Sequence, residues 1–305
     1  MALQSGNELQ LGAHYIIPKA DFKNQGSTTV LTTPLSGGNG GDGGKAAVVP
    51  NLFYMHSFSE KWTAGIGITA PYGLTTEYDD DWGFGANVGL IFEPLVGTRV
   101  GIHYRSKIDH TLEGDANFYT PAAAAGFDQA AGLINTTATA EVSLPETVSI
   151  SAYHAFNQHW AILADATWTK WSRLEELRIK FGSGANDSVT TLFWDDTWRF
   201  SLGGIFKPTD PLELRAGVAF DESPIPNEQR RTPRIPGADR TWLTLGAGYQ
   251  FSELITVDFA YGHLFIDDPK VDKDVTEAEN RLRGALVGEY DASVDIISAS
   301  VSFQF

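Results

Sequence analysis

Apolar residues recur at every second position in segment after segment of this chain. From Ile297 through Ala299, Val301, Phe303 and Phe305 the odd positions are apolar, and Ser298, Ser300, Ser302 and Gln304 between them are polar. Leu212, Leu214, Ala216, Val218 and Phe220 alternate with Glu213, Arg215 and Gly217 in the same way. So do Leu243, Leu245, Ala247, Tyr249 and Phe251 with Thr244, Gly246 and Gln250, and Ile255, Val257, Phe259 and Tyr261 with Thr256, Asp258 and Gly262. A side-chain period of two belongs to a strand with two different faces. The pattern predicts strands near 8–24, 46–57, 61–78, 83–93, 98–117, 138–156, 159–181, 188–206, 211–221, 241–251, 254–266 and 292–305.

These are about twelve strands, an even number, with connections of two kinds. Short ones fall at Ser57–Glu60, Glu93–Gly97, Asn157–Gln158, Pro208–Asp210 and Ser252–Glu253, and longer ones near 25–45, 118–137, 222–240 and 267–291. A segment of about nine residues crosses a bilayer once when tilted. The expectation is an all-β fold, a transmembrane antiparallel up-and-down β-barrel of about twelve strands forming one domain over residues 1–305. Its short turns would face the periplasm and its long loops the exterior. A soluble sandwich or barrel would turn the apolar faces inward, but twelve strands enclose a lumen too wide for side chains to fill. Aromatic residues gather near the predicted strand ends (Phe53/Tyr54, Trp62, Trp82, Trp160, Trp168/Trp171, Trp194/Trp198, Trp242), where interfacial girdles belong.

Composition narrows the reading further. The 31 Gly, 8 Trp, 10 Tyr and 18 Phe suit strands and turns, and no window is apolar for long enough to make a spanning helix. A formal net charge of -16 opposes nucleic acid as a partner. Without cysteine the chain carries no disulfide framework. Met1-Ala2-Leu3-Gln4-Ser5 shows no basic and then apolar secretory signal, so the expected outer-membrane destination would have to be specified by a segment absent from this sequence. The seven histidines show no metal-ligand spacing and no nucleophile motif stands out, so neither an enzyme, a metal nor a cofactor is expected. Ser36–Gly44 lacks the Lys-Ser/Thr ending of a phosphate loop and reads as a flexible connection. Asp79-Asp80-Asp81 reads as a solvated turn.

Several stretches together resemble the FadL family of outer-membrane transporters for long-chain fatty acids and other hydrophobic compounds. They are Trp82–Gly89, Tyr104–Lys107 with Gly114-Asp115, Leu144-Pro145-Glu146, Trp168–Ser172, Phe220–Pro226 and Arg234–Trp242, in family order. The terminal Phe305 on an alternating strand resembles the ending read by the barrel insertion machinery. The resemblance implies a fourteen-stranded barrel plugged by an N-terminal hatch. Here the first strand begins by about Glu8, and Thr75–Asp81 runs straight into Trp82 where the family carries a further strand pair. The expectation is therefore a trimmed or engineered, monomeric member, in contact with membrane lipid or detergent. Its function would be the passage of hydrophobic small molecules such as long-chain fatty acids. The alternative is a hatchless, water-filled pore conducting ions and small solutes.

Three groups of residues are candidates for that function. Pro71 interrupts a strand-like run, where it cannot donate a ladder hydrogen bond, and a freed backbone in lipid needs water, protein or a passage beside it. By resemblance Ala70, Pro71, Tyr72, Gly73 and Leu74 correspond to a kinked strand that opens sideways into the membrane; a β-bulge or extracellular strand end is the alternative. The Ala-rich segment Thr120–Ile134 resembles a family loop that collects apolar ligands, with Phe127, Leu133 and Ile134 in its groove; an ordinary loop packed on itself is the alternative. Polar parity turns Arg99, His103, Arg105, Arg199, Glu213, Arg215 and Asp258 toward the lumen, to pair and stiffen the wall or to tune ion passage.

Overall fold

The computed structural model describes residues 7–35, 39–59, 62–69, 83–118, 132, 134–281 and 283–305. Seventeen strands are present among them: β1 (Glu8–Asn24), β2 (Ala47–Ser59), β3 (Trp62–Thr69), β4 (Asn87–Leu95), β5 (Thr98–Arg105), β6 (Ile108–Ala116), β7 (Thr136–Leu144), β8 (Thr147–Ala155), β9 (Trp160–Thr169), β10 (Glu176–Phe181), β11 (Ser188–Thr191), β12 (Thr197–Thr209), β13 (Leu212–Asp221), β14 (Arg240–Gln250), β15 (Ile255–Ile266), β16 (Lys270–Lys273) and β17 (Leu286–Gln304). Twelve of them make the wall, in the order β3-β2-β1-β17-β15-β14-β13-β12-β9-β8-β5-β4, and β16 pairs beside β17. All ladders are antiparallel. The longest zips the N-terminal strand to the C-terminal one, from Glu8 opposite Gln304 to Asn24 opposite Gly288.

The first and last described residues lie at the end of the wall that carries the short turns, where Asn7 and Phe305 exchange backbone hydrogen bonds of 3.3 and 2.9 Å. The up-down parity read from the sequence is thus the one observed. Four predicted strands differ. The runs 98–117, 138–156, 159–181 and 188–206 are each two strands, whose lower parts (β5, β8, β9, β12) stay in the wall. Their upper parts form a separate sheet in the order β11-β10-β7-β6. Pro145 has no N–H for the ladder, a 3-10 turn at Trp171–Arg173 interrupts the third run, and Phe193 takes φ 45°, a left-handed conformation costing a non-glycine residue roughly 1–2 kcal/mol. All four strands break at one level, so the outer sheet leaves the wall as a unit.

Side chains tie the breaks together. Asp109 accepts from Lys107 Nζ and Ser143 Oγ, both at 2.6 Å, and Ser172 N–H donates to Asp196 at 3.0 Å. Glu146 is buried and receives both the Nε and Nη2 of Arg173, with Lys170 Nζ at 3.8 Å. The Arg173 guanidinium holds the Glu146 carboxyl below the ordinary glutamate value of 4.5. Because the folded value is the lower one, this stabilisation is complete above the unfolded pKa and is lost as pH falls through the folded pKa. Glu146→Gln is therefore expected to lower hydrogen-exchange protection of β7 and β10 by about fivefold at neutral pH, near 1 kcal/mol for a charge-assisted pair with one partly exposed member. Acidification should remove the same protection from the wild type but leave the variant unchanged.

Exposure along the wall follows the period of two. On β12 the even residues Trp198, Phe200 and Leu202 face out with Leu243, Leu245, Val218 and Leu214 of the neighbouring strands. Opposite register partners share a face, so these residues form a continuous apolar band. At its short-turn edge stand Phe156, Trp160, Phe206, Tyr249 and Phe251, including a Trp160–Phe206 stack at 4.4 Å. This band is what a lipid bilayer requires of a barrel. Trp171, Trp194 and Trp242 are not in the girdle. Trp194 packs with Leu192 and Ile225 in a cluster that also takes in Trp171, Leu174, Leu177 and Ile235, and Trp242 lies on the inward parity opposite Leu264.

Loops 222–239 and 267–285 pack against the outer part of β14, β15 and β17 and cover it. Val271 is 1% exposed and Leu264 4%. Arg231 donates to the carbonyls of Gly237 and Lys270, Lys273 Nζ to Gln229 O at 2.9 Å, and Tyr290 OH to Pro233 O at 3.3 Å. Glu279 accepts the Thr191 N–H at 2.7 Å, joining this cover to the outer sheet.

Candidate functional site

The inward parity defines the lumen, and its chemistry changes with height. In the middle and lower tiers the inward positions are largely small or polar: Gly12, His14, Ser298 and Ser300 on β1 and β17, Gly246 and Gly248 on β14, Gly217 on β13, Ser201 and Gly203 on β12. His14 is held between Ser298 Oγ at 2.7 Å and Asn51 Nδ2 at 2.8 Å. Higher on β1, β14, β15 and β17 apolar inward residues stand opposite one another, Ile16 and Ile296, Pro18 and Val294, Trp242 and Leu264, whereas the outer inward positions of β12 and β13 are the charged Arg199 and Asp221. The upper tier is the one beneath the loop cover.

The predicted lumen charges divide into groups. Arg215 donates from Nη1 to Asp258 at 2.7 Å and from Nε to Glu213 at 2.5 Å, and Lys207 lies 3.0 Å from the other Glu213 oxygen. Gly248 makes room for this network, because a Cβ there would stand 2.6 Å from Asp258 Oδ1. Arg199 is separate, 3.8 Å from Asp165, and Arg99 lies 3.4 Å from Glu93 at the turn. His103 and Arg105 stand on β5, opposite Gly89 and Asn87 of β4. Sequence reasoning missed Asp165, Lys207 and Glu93 as partners, and also the Asp221–Arg240 pair at 3.0 Å. Their inward parity on neighbouring strands was the available signal.

The wall path begins at β3 and ends at β4, two strands consecutive in the chain, and no ladder among the described residues joins them. Every described side-chain position of β3, Gly65–Ile68, and all of β4 is exposed, unlike the alternating pattern of the other wall strands. The β4 side is anchored above: Ala86 exchanges hydrogen bonds of 2.8 Å with Ser106, and Gly85 allows Ile108 to lie against the backbone, since a Cβ would be 2.8 Å from its Cγ1. Ala70, Pro71, Tyr72, Gly73 and Leu74 fall outside the described residues, in the connection between the two seam strands. Phe127 and Leu133 also fall outside them. Ile134 is described, at 49% exposure just before β7.

Comparison with known proteins places this architecture. The model of the outer membrane protein transport protein family (OMPP1/FadL/TodX) matches residues 1–82 and 79–305. The chain belongs to this family. It is an outer-membrane β-barrel of a family of transport proteins, and the two matched stretches meet inside the run where the sequence continues directly into Trp82. An outer membrane protein of Neisseria meningitidis is 23% identical over 401 aligned positions, covering 98% of this chain and 86% of that one. That alignment is longer than this chain, so the relative carries segments absent here. The long-chain fatty acid transport protein of Escherichia coli K12 is 29% identical over 68% of this chain, which spans about half of that relative's length (48%). In fold, the crystal structure of a Pseudomonas aeruginosa FadL homologue superposes with a TM-score of 0.85 at 20% identity, covering 100% of this chain and 91% of that one.

Proposed function

We propose that this barrel takes hydrophobic small molecules, of the long-chain fatty acid class, from the exterior and releases them sideways into the membrane between β3 and β4. The carrying observation is the change of lumen chemistry with height. Ile16, Pro18, Val294, Ile296 and Trp242 offer an apolar solute a wall in the outer part of β1, β14 and β17, and below them glycines, serines and paired charges predominate, interrupted by Met55 and Ile205. A methylene gains about 0.8 kcal/mol on leaving water, so a ten-methylene chain held in a wet lower lumen stands about 8 kcal/mol above the same chain in lipid. Descent to the short-turn end is uphill and sideways exit is downhill. The β3/β4 seam, flanked by Ala70–Leu74 in the chain, is the place where the described residues form no ladder that exit would have to break. Phe127, Leu133 and Ile134 contribute apolar surface to collection at the outer end. On this reading the lumen charges Arg99, His103, Arg105, Arg199, Glu213, Arg215 and Asp258 stiffen the wall, and the chain performs no catalysis. It acts as a single-domain monomer whose terminal Phe305 is presented to the insertion machinery.

Uptake of a long-chain fatty acid by cells lacking other uptake routes tests this. Wild-type uptake should saturate, and Gly89→Phe, inward beside the seam where a Cβ meets only ordinary contacts from 3.4 Å, should lower it several-fold while heat-modifiable electrophoretic migration stays normal. Unchanged uptake in that variant sinks the seam route. The polar lower lumen favours a second reading, an open pore, and planar-bilayer recording separates the two. A steady large ionic current supports the pore, and a silent barrel with saturable uptake supports the selective passage.

A further inference from the structure

On the outward face of the wall, residues in register form rows across the strands. One row runs Ile162, Gly204, Ala216, Leu245. Its two central members have almost no side chain. The row toward the short-turn end is Trp160, Phe206 and Leu214, and the row on the other side is Ala164, Leu202, Val218 and Leu243. The missing side chains leave a notch in the apolar band, with two adjoining cavities of about 450 and 420 Å³ that share Trp160, Gly204 and Ala216. Both are open along the face of the band, as a recess filled from the bilayer side must be. The notch is lined almost wholly by apolar groups, it is walled by the Trp160–Phe206 stack, and a Cβ on Gly204 would meet nothing within 4 Å.

We propose that this notch is a binding site for one acyl chain of a phospholipid in the periplasmic leaflet. Its mouth opens onto the band already in contact with the bilayer, so its contents come from the hydrocarbon, where an empty apolar cavity forfeits its dispersion contacts. Its lower edge is the aromatic girdle beside the 156–159 turn, the level at which phospholipid headgroups stand. A chain descending from the bilayer interior to its headgroup therefore passes through the notch and ends at Trp160.

Native mass spectrometry of the barrel extracted from its membrane in mild detergent tests the assignment. The wild type should retain one phospholipid, and Gly204→Leu should reduce that adduct by about tenfold, the equivalent of about 1.4 kcal/mol. Ala164→Leu, outward on β9 but outside the notch, should retain it, and Ala216→Leu provides a second way of filling the recess. Normal heat-modifiable migration establishes that each variant is folded. Four results would each overturn the proposal: no phospholipid on the wild type, detergent alone in its place, an adduct indifferent to both filling substitutions, or a dimer that Gly204→Leu abolishes, the last making a second copy of this chain the occupant.

Discussion

Leu202→Arg should destabilise the barrel by about 2–4 kcal/mol, whereas Ser201→Arg, one residue away on the same strand, should change it by less than about 1 kcal/mol. Leu202 is 51% exposed near the middle of β12, between Ala164 and Val218 on the outward face. A cation there meets the bilayer interior, and the cost of lipid-facing Arg near the midplane is of that order. Ser201 points the other way and stands opposite Asp165, so an added guanidinium finds water and a carboxylate. Denaturant titration of folding into phospholipid vesicles measures both variants. A soluble protein of the same sequence would show the reverse order, with the exposed Leu202 tolerant and Ser201 intolerant.

The second large effect is expected far from the lipid. Trp194→Ala should cost the outer region about 3–5 kcal/mol, the usual loss when a buried aromatic is truncated. Trp194 is 6% exposed, its ring 5.3 Å from that of Trp171, and it packs with Leu192 and Ile225 where the outer sheet meets loop 222–239. Its indole N–H has no hydrogen-bond partner among the described residues, so the loss is one of packing. Protease cleavage within 222–239 and hydrogen exchange of β10 and β11 should both accelerate, while the β1–β17 ladder keeps its protection. A uniform effect on all strands would show that the outer region and the wall unfold as one.

The faces of the strands were legible from the alternation because a period of two is a local property of the backbone. It needs no partner to be visible, and it puts Arg215, Glu213 and Asp258 on one face, where the structure has them hydrogen-bonded together. Alternation reports which way a side chain points, not which sheet its strand joins. The same apolar parity resumes after a single polar position at Ser106 and at Glu146, and this is why β5 and β6, or β7 and β8, read as single strands. Pro145 was a visible signal of one break. The others rest on contacts such as Asp109 with Ser143 and Ser172 with Asp196, between segments more than twenty residues apart. The loop cover was illegible for the same reason, since Glu279 reaches Thr191 and Ile225 reaches Trp194 only once the wall has brought them together.

The sequence by itself determined an outer-membrane barrel with its up-down parity and an apolar outer face, because lipid forces every spanning strand to declare its two faces within a few residues. Only the tertiary structure decided where four strands leave the wall, how the outer loops pack over β14, β15 and β17, that the β3/β4 seam carries no described ladder, and that Gly204 and Ala216 fall side by side to make a notch. Each of these depends on register between strands, and register is set by pairing across the sheet rather than by any one strand's own residues.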